Sequence, residues 1–139
     1  MVVTLHACDT ATDYALHNAV CRGARMILSV PCCQHELNGQ IASDRLRLIT
    51  RYGIIKERFA ALMTDAIRAN LLESRGYKTQ VLEFVDLSHT PKNLLIRAIK
   101  KRPALDNAGR IALDEAKAIM EEFSLEPTLY SLLYPHSAD

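Results

Sequence analysis

The chain has 139 residues, of which 49% are hydrophobic, so it can bury one moderate core but not several independent ones. Its 17 basic and 16 acidic side chains nearly balance, and this balance neither requires nor excludes a nucleic-acid surface. No stretch approaches the length of about 20 apolar residues that a membrane span needs, and no signal-peptide pattern opens the chain. We therefore expect a globular, cytoplasmic protein without membrane contact. The adjacent Cys32 and Cys33 do not suit a secreted disulfide framework, so reduced thiols are expected.

The first predicted strand is Val2 to Ala7, which is apolar except for Thr4. This pattern is typical of a strand covered on both faces in a parallel sheet. Because the strand begins at residue 2, we expect that whatever lies before and beside it is missing or comes from another chain.

A helix and a second strand follow. Thr10 and Asp13 stand at the spacing of a capping box, and Gly23 closes the helix that they open. Met26 to Val30 is the second buried strand, ended by Pro31. Strand, helix and strand form a right-handed βαβ unit, in which both strands end at the same edge of the sheet.

The remaining elements alternate in type. Seven residues separate the last two predicted strands, too few for a crossover helix, so these strands are expected to be antiparallel. The predicted order is therefore β-α-β-α-β-β-α. The segments are a loop or lid at Gln34 to Tyr52, a helix at Ile54 to Arg75 with Gly76 as its C-cap, strands at Lys78 to Val85 and Asn93 to Lys100, a helix at Ala108 to Phe123, and a turn-rich tail.

Three segments carry a resemblance to a known family: LHACDTATDYAL at residues 5–16, VPCCQHEL at residues 30–37 and EFVDLSHTPKNLLIRA at residues 83–98. Together with the element order, they resemble the carboxyl-terminal half of a Rossmann-like S-adenosylmethionine-dependent methyltransferase. The particular family is the methyltransferase domain family related to the tRNA ribose methyltransferase and the methyltransferase-like-25 proteins. The resemblance implies an incomplete α/β sheet whose reversed last strand is inserted between its neighbours. It covers roughly residues 1–100. We expect a methyltransferase half at residues 1–102 and a helical extension at residues 103–139.

The chemistry of methyl transfer and the position of the strand ends suggest roles for individual residues. His6 and Asp9, at the end of the first strand, would hold the methyl acceptor and take its proton, and Cys8 and Asp13 are assigned to the cofactor. The chain contains no glycine-rich cofactor loop, so this half is expected to bind S-adenosylmethionine poorly and to be inactive alone. Acceptor binding is assigned to the ends of the second strand and of the antiparallel pair: Pro31, Cys32, Cys33, His35, His89, Lys92 and Asn93.

Each of these residues also has a plainer interpretation. Asp9 suits the start of the following helix, and Thr10 and Asp13 are explained by capping. Cys32 and Cys33 can be small buried residues. The residues around His89 can form a simple turn.

Two other functional classes remain open. In the first, His6, Cys8, Cys32 or Cys33, and His35 converge as metal ligands or form a redox module. In the second, the chain is a non-catalytic interaction domain that pairs with a separate chain. We expect a homodimer through the Val2 to Ala7 edge, or a partner that supplies the missing half. The acceptor is a small molecule or RNA. An RNA would contact a basic cluster comprising Arg45, Arg47, Arg51, Lys56 and Arg58. The plainer interpretation of this cluster is a solvated helix face.

Overall fold

The computed structural model describes residues 1–5, 7–83 and 94–135. Four strands form one mixed sheet: β1 (Val2–Leu5), β2 (Met26–Val30), β3 (Tyr77–Glu83) and β4 (Leu94–Lys100). The helices are α1 (Thr10–Cys21), α2 (His35–Gln40), α3 (Arg47–Thr50), α4 (Gly53–Ser74), α5 (Asn107–Glu122) and α6 (Thr128–Leu133), with a 3-10 turn at Asp44–Leu46 before α3.

The strand order is β1-β2-β4-β3, which confirms the predicted α/β class and the inserted last strand. β1 and β2 are parallel, in a register that runs from Val2 opposite Ile27 to Leu5 opposite Val30. β4 lies antiparallel to both β2 and β3. Because β1 and β2 are adjacent and parallel, the segments that follow them leave the sheet side by side.

The sheet is covered on one face in the described part of the chain. Ile27 and Ile96 are fully buried against the helices, as the alternation of a half-buried sheet requires. On the opposite face, Val3 and Leu5 are 49% and 62% exposed. The expectation that both faces of β1 are covered is therefore not met among the described residues.

Two segments are more helical than their sequences suggest. The expected loop after Gln34 contains α2, whose Asn38-Gly39 pair disfavours a helix, but α2 buries Leu37 completely and has a cap from outside its own segment. The tail contains α6, which buries Leu129 and Leu133. In both segments tertiary packing outweighs weak local preference.

Strand boundaries also differ from the prediction. β1 ends at Leu5 rather than Ala7, and β3 begins one residue early, at Tyr77. Val85 and Asn93, predicted as strand ends, lie outside the described residues. α5 and α6 share one hydrophobic cluster with the sheet and with α4, and the division at residue 102 stays a prediction. None of the described helices combines the length and the apolar character that crossing a membrane would need.

Gly76 is the predicted end of α4 and has a positive φ of 88°. Its carbonyl oxygen accepts the backbone N–H groups of Lys101 and Arg102, both at 3.0 Å. This close approach leaves no room for a side chain, because a Cβ atom there would overlap the carbonyl oxygens of Arg102 and Pro103.

We expect Gly76→Ala to lower the free energy of unfolding by about 2 kcal/mol or more, since backbone strain and overpacking add. Gly53→Ala is the matched control, because a Cβ at the start of α4 meets open space. It should change stability by less than about 1 kcal/mol. Urea denaturation measures both. Equal stability of the two variants would contradict the packing at Gly76.

Candidate functional site

The ends of β1 and β2 are tied together directly. The backbone N–H of Asp9 donates to the carbonyl oxygen of Cys33 at 3.1 Å. The Thr12 hydroxyl donates to the carbonyl oxygen of Ala7 at 2.6 Å, which fixes the turn between β1 and α1. Segments 7–9 and 31–35 therefore form one surface, as parallel strands that end at a common edge should.

Asp9 holds the two segments of this surface together. Its backbone has φ 49° and ψ −123°, a strained conformation that only glycine adopts readily. One carboxylate oxygen, Oδ1, accepts the backbone N–H groups of His35 and Glu36, each at 3.0 Å. Asp9 thus caps α2, across the site, rather than α1, which it precedes. The second oxygen, Oδ2, takes part in neither bond, and the residue is partly exposed.

Three cysteines meet at the same edge. The sulfur atoms of Cys8 and Cys32 are 3.3 Å apart, and those of Cys32 and Cys33 are 3.8 Å apart. Burial and the neighbouring thiols raise the pKa of Cys32 to about 11. A thiol so shifted is a poor nucleophile at neutral pH, because little of it is thiolate.

A buried ion network lies behind this surface. Arg68, on α4, is 2% exposed and binds both carboxylate oxygens of Asp13, at 2.8 and 3.0 Å. It also donates to Asp65 at 3.1 Å and to the backbone carbonyl of Asp9 at 2.9 Å. The Gln34 amide completes the network by donating to Asp65 at 3.0 Å.

The network joins two carboxylates to one guanidinium, so a single buried positive charge must stabilise two negative charges. Burial raises the pKa of Asp65 to about 6, despite the opposing effect of Arg68. Burial also raises the pKa of Asp13. Asp65 can therefore exchange a proton near neutral pH, a property that its sequence position does not reveal.

A crevice of about 320 Å³ opens beside the network. Asp65, Gln34 and Pro31 line it, and Pro31 directly precedes Cys32 in the chain. Leu62, on α4, and Leu94, at the start of β4, supply apolar surface, while Arg58 brings a positive charge and Glu57 a negative one. Such a mixture of apolar walls and a few polar groups is typical of a small-ligand site.

The predicted site residues fall into three groups. Asp13 is 2% exposed and its carboxylate is bound to Arg68, so the capping interpretation is wrong and its contact with a cofactor stays a prediction. His6, His89, Lys92 and Asn93 lie outside the described residues. The residues that the structure brings together at the strand ends are Cys8, Asp9, Pro31, Cys32, Cys33 and His35; their assigned roles also stay predictions.

Three residues that are candidates for the functional site were not predicted from the sequence: Gln34, Asp65 and Arg68. Apolar residues recur at three- and four-residue spacing along α4 and predict a buried face that includes Ile55, Leu62, Ile67 and Leu71. Ile67 and Leu71 are buried, but Ile55 and Leu62 are 46% and 60% exposed. Asp65 and Arg68, three residues apart, are buried on this helix as well. The sequence signal that could have identified Asp65 and Arg68 is a pair of opposite charges one turn apart in a largely apolar helix. The same spacing is also common on solvated surfaces.

The raised pKa of Asp65 has a measurable effect on stability. Between its ordinary value of 3.8 and about 6, the folded chain holds a proton that the unfolded chain has released. The free energy of unfolding should therefore fall as pH rises through this window, and the raised pKa of Asp13 acts in the same direction. Asp65→Asn cannot titrate and should flatten the slope.

Urea denaturation over a series of pH values measures this slope. Asp114→Asn, an exposed change on α5, should leave the wild-type slope unaltered. A wild-type slope equal to that of Asp65→Asn would contradict the raised pKa.

Comparison with known proteins gives one finding. The model of a family described as "Methyltransferase domain" matches residues 1–40. No curated protein and no solved structure matches the chain. The matched residues comprise β1, α1, β2 and α2, so they contain Asp9 and the three clustered cysteines, while the third segment of the resemblance lies beyond the match. The first 40 residues are thus similar to a methyltransferase domain.

Proposed function

We propose that this chain supplies the acceptor side of an S-adenosylmethionine-dependent methyltransferase, which transfers a methyl group to an oxygen or nitrogen atom. The observation that carries the proposal is the family match over residues 1–40, since these residues build the surface at the ends of β1 and β2. The inserted, reversed β4 supports it independently. Ligands of open α/β sheets bind at the carboxyl ends of the strands.

Asp9 suits the chemistry of such a site. Methyl transfer needs an acceptor atom held in line with the sulfonium methyl group, and a hydroxyl acceptor must also lose its proton. The bonds from His35 and Glu36 fix Oδ1 of Asp9 and leave Oδ2 to meet an acceptor. In this proposal Asp9 orients the acceptor and takes its proton, together with His6.

The crevice beside Asp65 is the proposed place for the acceptor. Its volume of about 320 Å³ fits a small molecule or one flipped-out nucleoside better than a stacked duplex. Pro31 lines it, and Cys32, Cys33 and His35 follow shortly after Pro31 in the chain. Asp9 does not line the crevice, so in this proposal the acceptor's reactive atom extends beyond it to reach Asp9. His89, Lys92 and Asn93 are assigned to acceptor binding because a loop that carries such side chains before an apolar strand suits acceptor recognition.

An RNA acceptor remains part of the proposal. Arg47 and Arg51 are exposed and adjoin one surface hollow, where they can contact phosphates. Arg45 is 80% exposed and pairs with Glu122 at 2.5 Å, so this member of the basic cluster is already partly neutralised.

The glycine-rich loop that would bind the cofactor is not among these 139 residues. Cys8 is assigned to the cofactor's side of the site. Asp13 would act there by positioning, since it reaches Asp9 only through Arg68. The half of the site that holds the cofactor would come from further residues joined to β1, from a second copy, or from a separate chain. The exposed Val3 and Leu5 also suit the alternative of a purely interacting domain.

Titration with S-adenosylmethionine tests the proposal. We expect no saturable binding by the 139 residues alone, and binding when the chain is extended at its amino end or mixed with a chain that carries the glycine-rich half. Adenosine serves as the control ligand, and sedimentation of the same samples shows whether the chain pairs with itself. If neither the extended chain nor the mixture binds the cofactor, the proposal fails.

In the form that binds the cofactor, Asp9→Asn should reduce methyl transfer by about a hundredfold to ten-thousandfold, as loss of a proton acceptor does. Stability should change by less than about 1 kcal/mol, because the amide oxygen can still cap α2. Asp44→Asn, an exposed change before α3, is the control. Methyl transfer by Asp9→Asn at the control's rate would exclude Asp9 from this role.

A further inference from the structure

We propose that Cys8, Cys32 and Cys33 form a binding site for one soft metal ion, either Zn²⁺ or Cu⁺. The three sulfur atoms all lie within 4.8 Å of one another. The proposal does not rest on methyl transfer, but it uses the same three side chains that the proposed function assigns to the cofactor and the acceptor. It also differs from the mixed cysteine and histidine site suggested by the sequence, because within the described ranges His35 does not join this group.

The sulfur spacing matches what a metal ion requires. Thiolate ligands at about 2.3 Å from a tetrahedral zinc ion are about 3.8 Å apart. Cys32 and Cys33 already have this separation, and Cys8 and Cys32 are 3.3 Å apart. Small side-chain rotations would therefore place three thiolates around one ion, without movement of the backbone.

The backbone that carries the cysteines is held before any ion arrives. The bond from Asp9 to the Cys33 carbonyl oxygen fixes one segment against the other. The carboxylate of Asp9, bound to the first amides of α2, restrains the segment after Cys33. Preorganised ligands lose less conformational entropy when they bind, which favours a specific site.

The chemistry of the cluster selects soft cations. Thiolates prefer Cu⁺ and Zn²⁺ over the hard Mg²⁺ and Ca²⁺. Three sulfur ligands complete a trigonal Cu⁺ site, whereas Zn²⁺ would keep a fourth position for water or another ligand. Cys8 is exposed, so an ion can enter from solvent.

Metal titration of the reduced, full chain tests the site. Zn²⁺ is titrated against a chromophoric chelator, Cu⁺ is titrated anaerobically against bicinchoninate, and Co²⁺ reports thiolate ligation by charge-transfer absorption. We expect one equivalent of Zn²⁺ or Cu⁺ per chain, and the more tightly bound ion identifies the occupant. Cys8→Ser, Cys32→Ser and Cys33→Ser should each weaken binding by about a hundredfold or more.

Cys21→Ser is the matched control, because Cys21 lies on α1 and contacts His17 rather than the cluster. It should bind the metal as the unaltered chain does. The proposal is wrong if neither ion binds the reduced chain, or if Cys21→Ser weakens binding as much as the other three changes.

A second measurement uses only the unaltered chain, so it does not depend on whether the variants fold. Cys8 and Cys21 are both exposed thiols, and a short pulse of alkylating agent followed by mass spectrometry compares them. One equivalent of metal should protect Cys8 and leave the labelling of Cys21 unchanged. Equal protection of both, or of neither, overturns the site. So does a reduced chain that binds no metal but forms a Cys8–Cys32 disulfide under mild oxidation, since the cluster would then be a redox pair.

Discussion

The buried charge of Arg68 is the constraint around which the candidate site is arranged. A guanidinium that is 2% exposed is stable only if its donors are satisfied, and they are satisfied by α1 through Asp13, by α4 through Asp65 and by the β1–α1 turn through Asp9. Removal of one partner from a buried pair of this kind typically costs about 3–5 kcal/mol. The positions of α1 and α4 are therefore coupled electrostatically as well as by packing.

This coupling explains how Asp9 keeps a backbone conformation that costs about 1–3 kcal/mol. Its carbonyl oxygen is held by Arg68, its N–H by Cys33 and its carboxylate by α2. Contacts from three separate segments thus hold the backbone and the side chain of Asp9 in place. The same bonds set the spacing of the cysteine sulfurs, so the acceptor site of the proposed function and the proposed metal site share one scaffold.

The sequence predicts the sheet well because its signals are local. Alternation in β3, the apolar runs of β1, β2 and β4, and the short connection between β3 and β4 fix the types and directions of the strands. The parallel ends of β1 and β2 also predict that the segment with Asp9 faces the segment with Cys33. The cap on α2 is not predictable in this way, since His35 is separated by 26 positions from the carboxylate that stabilises its helix.

Arg68 escapes prediction for a similar reason. Its partner Asp13 is 55 positions away, and helical periodicity alone places apolar side chains, not a guanidinium, on the buried face of α4. Local patterns therefore identify which segments approach one another. They do not show which polar groups will be buried together when those segments meet.

The carboxyl-terminal segment has a consequence for the order in which the site can form. Thr128, at the start of α6, donates its backbone N–H to the Glu36 carboxylate at 3.0 Å, across 92 positions of sequence. Gln40, at the other end of α2, bonds the backbone of Glu126. Because a contact between such distant residues carries a large loop-closure entropy, we expect α2 to gain its full support late in folding. The site at the ends of β1 and β2 is therefore fully supported only once residues 126–128 have packed against α2.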